Sequence, residues 1–351
     1  MGYTAACNHK KAESTSMHEQ DRSDYSELRP DTILDAIETQ GFICNGEMLE
    51  LNSYENRVYQ IGIEDQTPII AKFYRPKRWS NAQIQEEHDY SLELEAREIP
   101  VVAPLPNKNG ETLFNHEGYR FALFPRKGGR WPELDNTDNL KWLGRFIGRI
   151  HAVGAIHPFE TRTRVSTKLM GWDAIDFLTR NDFFPDYLKD NIINSSNAIL
   201  THIDEIFDNF GPTRTIRLHG DCHPGNILWT DKGPHFVDLD DCQNGPAIQD
   251  LWMLLSGDRE SQQMQLRHLI EGYNEFFEFD PFELNLIEAL RTLRMLNYSA
   301  WLARRWTDPA FPKAFPWFNT PLYWETQLND IREQQERLHE PSLSLKQNFN
   351  F

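Results

Sequence analysis

The sequence predicts an α+β fold with two unequal parts, a small antiparallel sheet that carries a helix and a larger, mainly helical region. Up to about residue 125, short runs rich in Val, Ile, Phe and Tyr alternate with turn residues, which is typical of strands. Beyond that point, apolar residues recur at three- and four-residue spacing, which indicates amphipathic helices. One strand-turn-strand segment, at residues 217–241, interrupts the helical region.

The small part begins with a helix and continues with a strand pair. Asp31 opens residues 31–40 as a capping residue would, and Gly41 follows them as a terminating glycine. Residues 55–63 and 68–74 alternate apolar with polar side chains and predict a β-hairpin.

A second helix and two more strands complete the small part. Residues 81–99 fit a helix that ends at the proline that follows them. Two short strands are expected around the turn at 108–110, and the second of them ends in the apolar run 121–125. Because paired glycines follow shortly afterwards, we place the boundary between the two parts after Pro125.

The larger part, residues 126–340, is predicted to be a series of helices. Four apolar residues follow the spacing of one helix face: Leu140, Leu143, Ile147 and Ile150. Further segments that fit helices are 173–180, 185–208, 247–256, 262–278, 282–304 and 322–338. Residues 1–28 and 341–351 are polar and lack hydrophobic periodicity, so both are expected to be flexible tails. Between them lie the small part, residues 29–125, and the larger part, residues 126–340.

Composition and charge exclude several classes of function. The 351 residues carry a formal net charge of −17, whereas nucleic-acid-binding surfaces need clustered basic side chains, so no nucleic-acid partner is expected. No apolar run is long enough to cross a bilayer, and the N-terminus lacks the apolar core of a secretory signal. The four cysteines are too few and too scattered for a disulfide framework. These features predict a cytoplasmic protein with no membrane partner.

The segment at 217–241 concentrates the polar residues that could carry chemistry. Asn226 and Asp238 lie six residues on either side of Lys232, so an antiparallel hairpin centred there would place them opposite each other. An amide oxygen beside a carboxylate suits Mg²⁺, which takes few protein ligands and completes its shell with phosphates and water. Asp221, five residues before Asn226, reaches the same end of the hairpin. Its carboxylate could orient a substrate hydroxyl and accept its proton during attack on phosphorus.

Two other polar residues of this segment have a structural interpretation. Asp240 lies on the same side of a strand as Asp238 and could be a second metal ligand, but we expect a solvated or capping role, which is common for aspartate. His219 is expected to pack behind the loop rather than to transfer protons.

The order of Asp, Asn, hairpin and Asp resembles the catalytic core of the protein-kinase-like superfamily, which includes aminoglycoside and choline kinases. The His-Gly-Asp segment that ends at Asp221 is similar to the family's catalytic loop, with Asp221 as the base. Asn226 and Asp238 are similar to its two metal-binding residues. The resemblance implies a two-lobed protein-kinase-like fold, in which residues 29–125 bind the nucleotide and residues 126–340 hold the catalytic loop, the metal site and the acceptor site.

The same resemblance implies nucleotide-binding residues in the small lobe. Lys72 matches the lysine that contacts the phosphates, and either Glu86 or Glu87 would pair with it. Residues 51–57 match the loop that covers the phosphates, although they contain no glycine. Ser53 is the candidate donor to the nucleotide in that loop.

Supporting roles are implied for three other segments. Residues 121–125 would form the hinge strand that contacts adenine through its backbone, and Asp250 would support the catalytic loop. The aromatic-rich segment 301–317 is expected to be mostly core, with Arg304 or Arg305 as a lesser candidate to face the acceptor or phosphate.

At finer scale, residues 29–340 resemble the stress response kinase A family of bacterial Ser/Thr kinases. The segments that carry this resemblance are 51–60, 71–76, 218–229, 236–241, 244–255 and 301–317. Membership implies a largely monomeric cytoplasmic kinase that uses Mg²⁺ and ATP. It also implies that protein Ser or Thr hydroxyls are the acceptors, including those of the kinase itself, and that the enzyme serves in stress survival.

Three other functions compete with this one. A small-molecule kinase, of the aminoglycoside, choline or homoserine type, shares the same loop and hairpin, and the acidic balance of the chain would suit a cationic acceptor. A metal-dependent phosphoesterase would need an upstream Asp-x-His cluster, which is absent from the sequence. A pseudokinase is disfavoured because Lys72, Asp221, Asn226 and Asp238 all occur together.

Overall fold

An antiparallel five-stranded sheet forms the small lobe. The structure is a computed structural model that describes residues 24–210 and 215–345. The strands of this sheet are β1 (Cys44–Leu51), β2 (Arg57–Ile63), β3 (Ile69–Phe73), β4 (Phe114–His116) and β5 (Tyr119–Pro125), in the spatial order β1-β2-β3-β5-β4. β2 and β3 form the hairpin that the alternating pattern predicts.

The helix α1 (Pro30–Glu38) packs on this sheet through Ile33, Ala36 and Ile37. The prediction that Asp31 caps it is wrong, because Arg29 occupies the N-cap position and Pro30, with its fixed φ, begins the helix one residue earlier. Asp31 lies in the first turn instead, where its charge favours the positive end of the helix dipole.

The helix α2 (Asn81–Ala96) occupies most of the segment predicted as the second helix. Ser80 and Gln83 form a capping box at its start. It buries Glu87 and His88 together with apolar residues such as Ile84, which explains why its apolar period is irregular.

The strand expected before the turn at 108–110 does not form. Asn107 closes its own turn instead, since its side-chain oxygen accepts from the backbone N–H groups of Asn109 and Glu111 at 2.9 and 3.0 Å. The last hairpin of the sheet is β4–β5, and its two turn residues, Glu117 and Gly118, have φ values of +49° and +81°, as a tight two-residue hairpin requires.

The large lobe is built from helices around an extensive apolar cluster. Its helices are α3 (Thr137–Gly154), α4 (Asp173–Arg180), α5 (Asp186–Phe210), α6 (Gln249–Trp252), α7 (Arg259–Tyr273), α8 (Ile287–Arg304), α9 (Ala310–Ala314) and α10 (Pro321–Arg337). The four residues of the predicted helix face, Leu140, Leu143, Ile147 and Ile150, are all buried in α3. Gly144 and Gly148 let α3 approach the α7 backbone so closely that a Cβ at either position would collide with a carbonyl oxygen.

Short elements of the large lobe escaped prediction. A π-helical turn at Lys168–Trp172 and a 3₁₀ turn at Pro281–Leu286 precede α4 and α8. β6 (Ile216–Leu218) pairs with β9 (Gln243–Gly245) in a two-stranded antiparallel sheet that was not predicted, whereas β7 (Ile227–Thr230) and β8 (Gly233–Phe236) form the hairpin expected within residues 217–241. Strands of three residues are too short to show a period in the sequence.

Parts of the predicted tails pack against the lobes. Most of residues 1–28 and the last six residues lie outside the described ranges. Tyr25 and Leu28 contact the apolar core of the small lobe, and the Tyr25 hydroxyl donates to the Phe73 carbonyl at 2.9 Å, so the packed chain begins before residue 29. Leu343 is likewise buried in the large lobe. Within the described ranges, no helix is both long and apolar enough to span a membrane.

Candidate active site

A cavity of about 1300 Å³ lies between the sheet of the small lobe and the helices of the large lobe. The structure brings all the predicted site residues to its wall: Ser53, Lys72, Asp221, Asn226 and Asp238. Apolar side chains of both lobes line it as well, among them Ile70 and Leu228. The site therefore combines residues that are up to 185 positions apart in the chain.

The β7–β8 hairpin forms as expected, but its register differs by one residue. Ile227 pairs with Phe236, and the backbone N–H of Val237 donates to the Asn226 carbonyl at 3.0 Å. Asn226 therefore faces Val237 rather than Asp238, because the turn is centred between residues 231 and 232 instead of on Lys232. Asp238 follows the strand in a left-handed conformation, with φ +59°.

Lys72 is the centre of a buried ionic cluster. It lies on β3, and its Nζ is 3.3 Å from Glu87 Oε1, 3.1 Å from Asp238 Oδ1 and 3.1 Å from Asp240 Oδ1. Burial alone would lower the pKa of Lys72, but the surrounding carboxylates, with Asp240 first, raise it well above its ordinary value. The lysine is thus held as a cation at one wall of the cavity.

The structure distinguishes between the two candidate glutamates. Glu87 pairs with Lys72 and is buried. Glu86 instead accepts hydrogen bonds from the backbone N–H groups of Glu160, Thr161 and Arg162 at 2.6 to 2.9 Å. Glu87 is therefore the partner of the lysine, while Glu86 ties α2 to a loop of the large lobe.

The expected solvated or capping role of Asp240 is wrong. Its side chain is buried and contacts Lys72 and Arg78, and it accepts from the Asn56 side-chain amide at 3.2 Å. Burial acts to raise the pKa of Asp240, but the charge of Arg78 and then that of Lys72 hold it well below its ordinary range. Arg78 also reaches Asp241 at 2.5 Å, so it links the small lobe to the segment after Asp238.

Asp221 is held by groups from two elements. Arg294 Nη1 on α8 lies 2.5 Å from its Oδ1, and His223 Nε2 lies 3.4 Å from its Oδ2. The side-chain amide of Asn226 donates to the Asp221 carbonyl at 3.0 Å, which orients both residues. Although burial would raise it, His223 and Arg294 hold the pKa of Asp221 well below its usual range, so this carboxylate is ionised at neutral pH.

The loop that carries Asp221 is fixed from behind. Asp250 accepts from the backbone N–H groups of His219 and Gly220 at 2.7 and 2.8 Å, and it contacts His151 Nε2 at 3.0 Å. Gly220 has φ +85°, and a Cβ there would collide with the Asp241 carbonyl. His219 is buried, and its Nε2 lies 2.9 Å from the Val237 carbonyl, in line with the packing role expected from the sequence.

The loop between β1 and β2 covers part of the cavity without any glycine. Glu55 of this loop contacts Arg305, and it accepts from the Trp301 indole N–H at 2.5 Å. The ring of Tyr54 lies 4.8 Å from that of Phe315. These contacts attach the loop to the large lobe, and Ser53 lies beside them on the cavity wall.

Sequence reasoning missed Arg78, Arg294 and Glu55 as parts of the site. Arg305 faces Glu55, and Arg304 lies over the Phe177 ring, so neither arginine of the aromatic segment belongs to the cavity wall. Arg78 follows β3 by only a few residues, in a polar segment that gave no local signal.

Comparisons with known proteins agree with this geometry. The model of a phosphotransferase enzyme family matches residues 47–287. A Salmonella typhimurium protein named "Serine/threonine protein kinase RdoA" is 48% identical over 321 residues, which cover 92% of this chain and 97% of the relative. A protein of Escherichia coli O157:H7 named "Stress response kinase A" is 47% identical over 325 residues, with the same coverage. The chain belongs to the stress response kinase A family of phosphotransferases. The resemblance seen in the sequence is thereby confirmed, and the chain is a kinase by family.

Solved structures of kinases share the fold at low sequence identity. An amicoumacin kinase in complex with AMP-PNP, Ca²⁺ and Ami superposes with a TM-score of 0.66 at 17% identity, over 87% of this chain and 93% of that one. A microcompartment-associated aminopropanol kinase gives a TM-score of 0.63 at 16% identity, over 88% and 99% of the two chains. The two-lobed α+β fold predicted from the sequence is therefore confirmed.

Proposed function

We propose that this kinase transfers the γ-phosphoryl group of ATP, with Mg²⁺, to Ser or Thr hydroxyls of proteins, including its own, and that it acts as a cytoplasmic monomer in stress survival. The observation that carries the proposal is the meeting of Lys72, Asn226, Asp238 and Asp221 in one cavity between the lobes. The names of the curated relatives support the protein acceptor and the link to stress.

The small lobe, taken as residues 29–125, supplies the nucleotide site in this proposal. Lys72, held as a cation, would contact the phosphates, and Ser53 would donate to them from the loop that closes the cavity. The β5 segment that ends at Pro125 would receive adenine, since Phe124 and Pro125 line the cavity together with the apolar side chain of Leu228.

The donor set fits Mg²⁺. Asp238 leaves 52% of its side chain exposed, and Asn226 uses its amide N–H on the Asp221 carbonyl, so its amide oxygen is available as an acceptor. In the described ranges no cluster of three His, Cys, Asp or Glu side chains could hold an ion unaided. Two protein oxygens completed by nucleotide phosphates are what Mg²⁺ prefers, and the bound ion would neutralise charge on those phosphates.

Asp221 would orient the acceptor hydroxyl in the large lobe, residues 126–340. The hydroxyl oxygen forms the new bond to the γ-phosphorus, the bond from that phosphorus to the ADP oxygen breaks, and the hydroxyl proton passes to Asp221. Because His223 and Arg294 keep this carboxylate ionised, it is ready to accept a hydrogen bond at neutral pH.

The test is phosphate transfer from γ-labelled ATP with Mg²⁺, using a generic basic protein and the kinase itself as acceptors. Wild type should label protein Ser or Thr, and Asp238→Ala should abolish that label. If ATP binds but no protein is labelled, while a small hydroxyl compound is phosphorylated, the small-molecule kinase interpretation replaces this one.

A further inference from the structure

Arg294 lies beside Asp221 on the cavity wall that α8 supplies. Its Nη1 is 2.5 Å from Asp221 Oδ1, yet 42% of its side chain stays exposed. Within the ranges that the structure describes, Asp221 is the hydrogen-bond partner of Arg294, and no second one is found. A guanidinium has five N–H donors, so most of those of Arg294 are free for a ligand in the cavity.

The two oxygens of Asp221 differ in their surroundings. Oδ1 is engaged by Arg294, whereas Oδ2 faces His223 Nε2 and Asn226 Nδ2, each at 3.4 Å, which is long for a hydrogen bond. An acceptor hydroxyl can therefore reach Oδ2 while Arg294 remains on Oδ1. In that arrangement the Asp221 carboxylate holds the hydroxyl on one oxygen and the Arg294 guanidinium on the other. The guanidinium therefore lies close to the group that neighbours the hydroxyl in the acceptor.

The rest of this wall is cationic or uncharged. Arg291, one helical turn before Arg294, also lines the cavity, and its guanidinium lies 5.5 Å from the centre of the Trp252 ring. Tyr298, one turn after Arg294, continues the same face. Among the described residues of α8, none that lines the cavity is a carboxylate.

We infer that Arg294 makes the kinase select acceptors that carry an anionic group beside the phosphorylated hydroxyl. This rests on the proposed protein kinase function and names its substrate class. The planar guanidinium binds carboxylate or phosphate oxygens in pairs, and a cationic neighbour of the hydroxyl would meet a like charge there. Since the chain as a whole carries −17, which repels acidic acceptors, the preference arises from this local site.

The test compares peptides that differ only in the residue beside a single Ser. That residue is Glu, phosphoserine, Gln or Lys, and kcat and KM are measured for wild type, Arg294→Gln, Arg294→Lys and Arg294→Glu. For wild type, kcat/KM for the Glu peptide should exceed that for the Gln peptide by about tenfold, the size of one charge-assisted hydrogen bond, mostly through KM. The ratio of kcat/KM between the Glu and Gln peptides should approach one in Arg294→Gln and should keep an intermediate value in Arg294→Lys. In Arg294→Glu the preference should reverse, so that the Lys peptide becomes the better substrate. Comparison of the Glu and phosphoserine peptides separates the two sources of negative charge.

Two controls keep the outcome interpretable. Arg304→Gln removes an arginine from the same helix but away from the cavity, and it should keep the wild-type ratio. Because Arg294 contacts Asp221, its variants are also expected to have a lower kcat. The second control therefore measures the affinity of fluorescent peptides that carry Ala in place of Ser, and the ratio of affinities for the Glu and Gln peptides reports the preference without catalysis.

The outcomes separate this inference from the proposed function. Peptide phosphorylation with equal kcat/KM for the Glu and Gln peptides overturns the role of Arg294 and leaves the protein kinase standing. Retention of the full preference in Arg294→Gln overturns that role as well. If wild type phosphorylates no peptide and no protein, both the proposed function and this inference are overturned.

Discussion

Arg305, directly after α8, donates to both carboxylate oxygens of Glu55, with Nη2 2.8 Å from Oε1 and Nε 3.3 Å from Oε2. Glu55 belongs to the loop between β1 and β2 of the small lobe, and Arg305 belongs to the large lobe. Arg75 of the small lobe contacts the same carboxylate at 3.0 Å and also pairs with Asp308 at 3.0 Å. This cluster explains how a loop without glycine is held over the cavity.

Replacing Glu55 by Gln should loosen this attachment. The carboxylate is only 13% exposed, so the change leaves the charge of Arg305 without its partner and should lower the free energy of unfolding by about 3 kcal/mol. The affinity for ATP should also fall several-fold, because the loop is no longer fixed. Urea unfolding and titration with a fluorescent nucleotide measure the two effects. Glu50→Gln, at an exposed position of β1, is the matched control and should change neither.

Asp221→Asn should separate nucleotide binding from phosphoryl transfer. The amide keeps the shape of the side chain but cannot take the hydroxyl proton, so transfer should fall by about 10³-fold. Nucleotide affinity should stay within a factor of about three, since Asp221 is not among the residues proposed to bind the nucleotide or its metal ion. Single-turnover transfer and nucleotide titration make the comparison. Undiminished transfer in this variant would remove Asp221 from its proposed role.

The two neighbouring glutamates of α2 provide a matched pair. Glu87→Gln should remove the ion pair that helps to position Lys72, and kcat/KM for ATP should fall by at least about tenfold. Glu86→Gln should leave kcat/KM for ATP near the wild-type value, because Glu86 binds backbone N–H groups at 160–162, outside the cavity. Steady-state kinetics with varied ATP decides between them. Equal losses in both variants would contradict the assignment of Glu87.

The sequence predicted the centre of the site because its residues flank one hairpin. Asp221, Asn226 and Asp238 fall within 18 residues, so local spacing alone brings them together. Lys72 followed from resemblance, since one strand lysine carries no signal of its own. The predicted pairing of Asn226 with Asp238 was wrong by one residue because it assumed a turn centred on Lys232. The observed centre depends on the turn itself, in which Gly233 has φ +102°.

The residues that were missed come from distant parts of the chain. Arg294 is 73 positions from Asp221, and Glu55 is 250 positions from Arg305. Such pairs depend on how the lobes and helices pack against each other, and the hydrophobic periodicity of the sequence does not indicate that packing. Asp240 was misjudged for the same reason, because the burial that makes it an ionic partner is created by Arg78 and Lys72 of the other lobe.

Buried His88 gives the protein a predicted sensitivity to acid. The ring is fully buried on α2, with Nε2 2.7 Å from the Tyr74 hydroxyl and Nδ1 2.8 Å from the Thr112 hydroxyl. Burial, with the nearby charge of Lys72, lowers the pKa of His88 to about 3. In the unfolded chain the pKa of histidine is about 6.5, so between these two values the unfolded state binds a proton that the folded state does not.

The free energy of unfolding should therefore fall as the pH drops from about 6.5, by up to about 1.4 kcal/mol per pH unit from this residue. Glu87 acts in the opposite sense over part of the same range, because burial raises its pKa to about 7 and charging it as the pH rises costs stability. The measurement is consequently the difference between wild type and His88→Gln in urea unfolding at about pH 6.5, 5.5 and 4.5, which lie within the window between the unfolded and folded pKa values of His88. The wild type should lose stability more steeply than the variant, whereas exposed His157→Gln should follow the wild type. Parallel curves for wild type and His88→Gln would show that His88 does not resist protonation in the folded state.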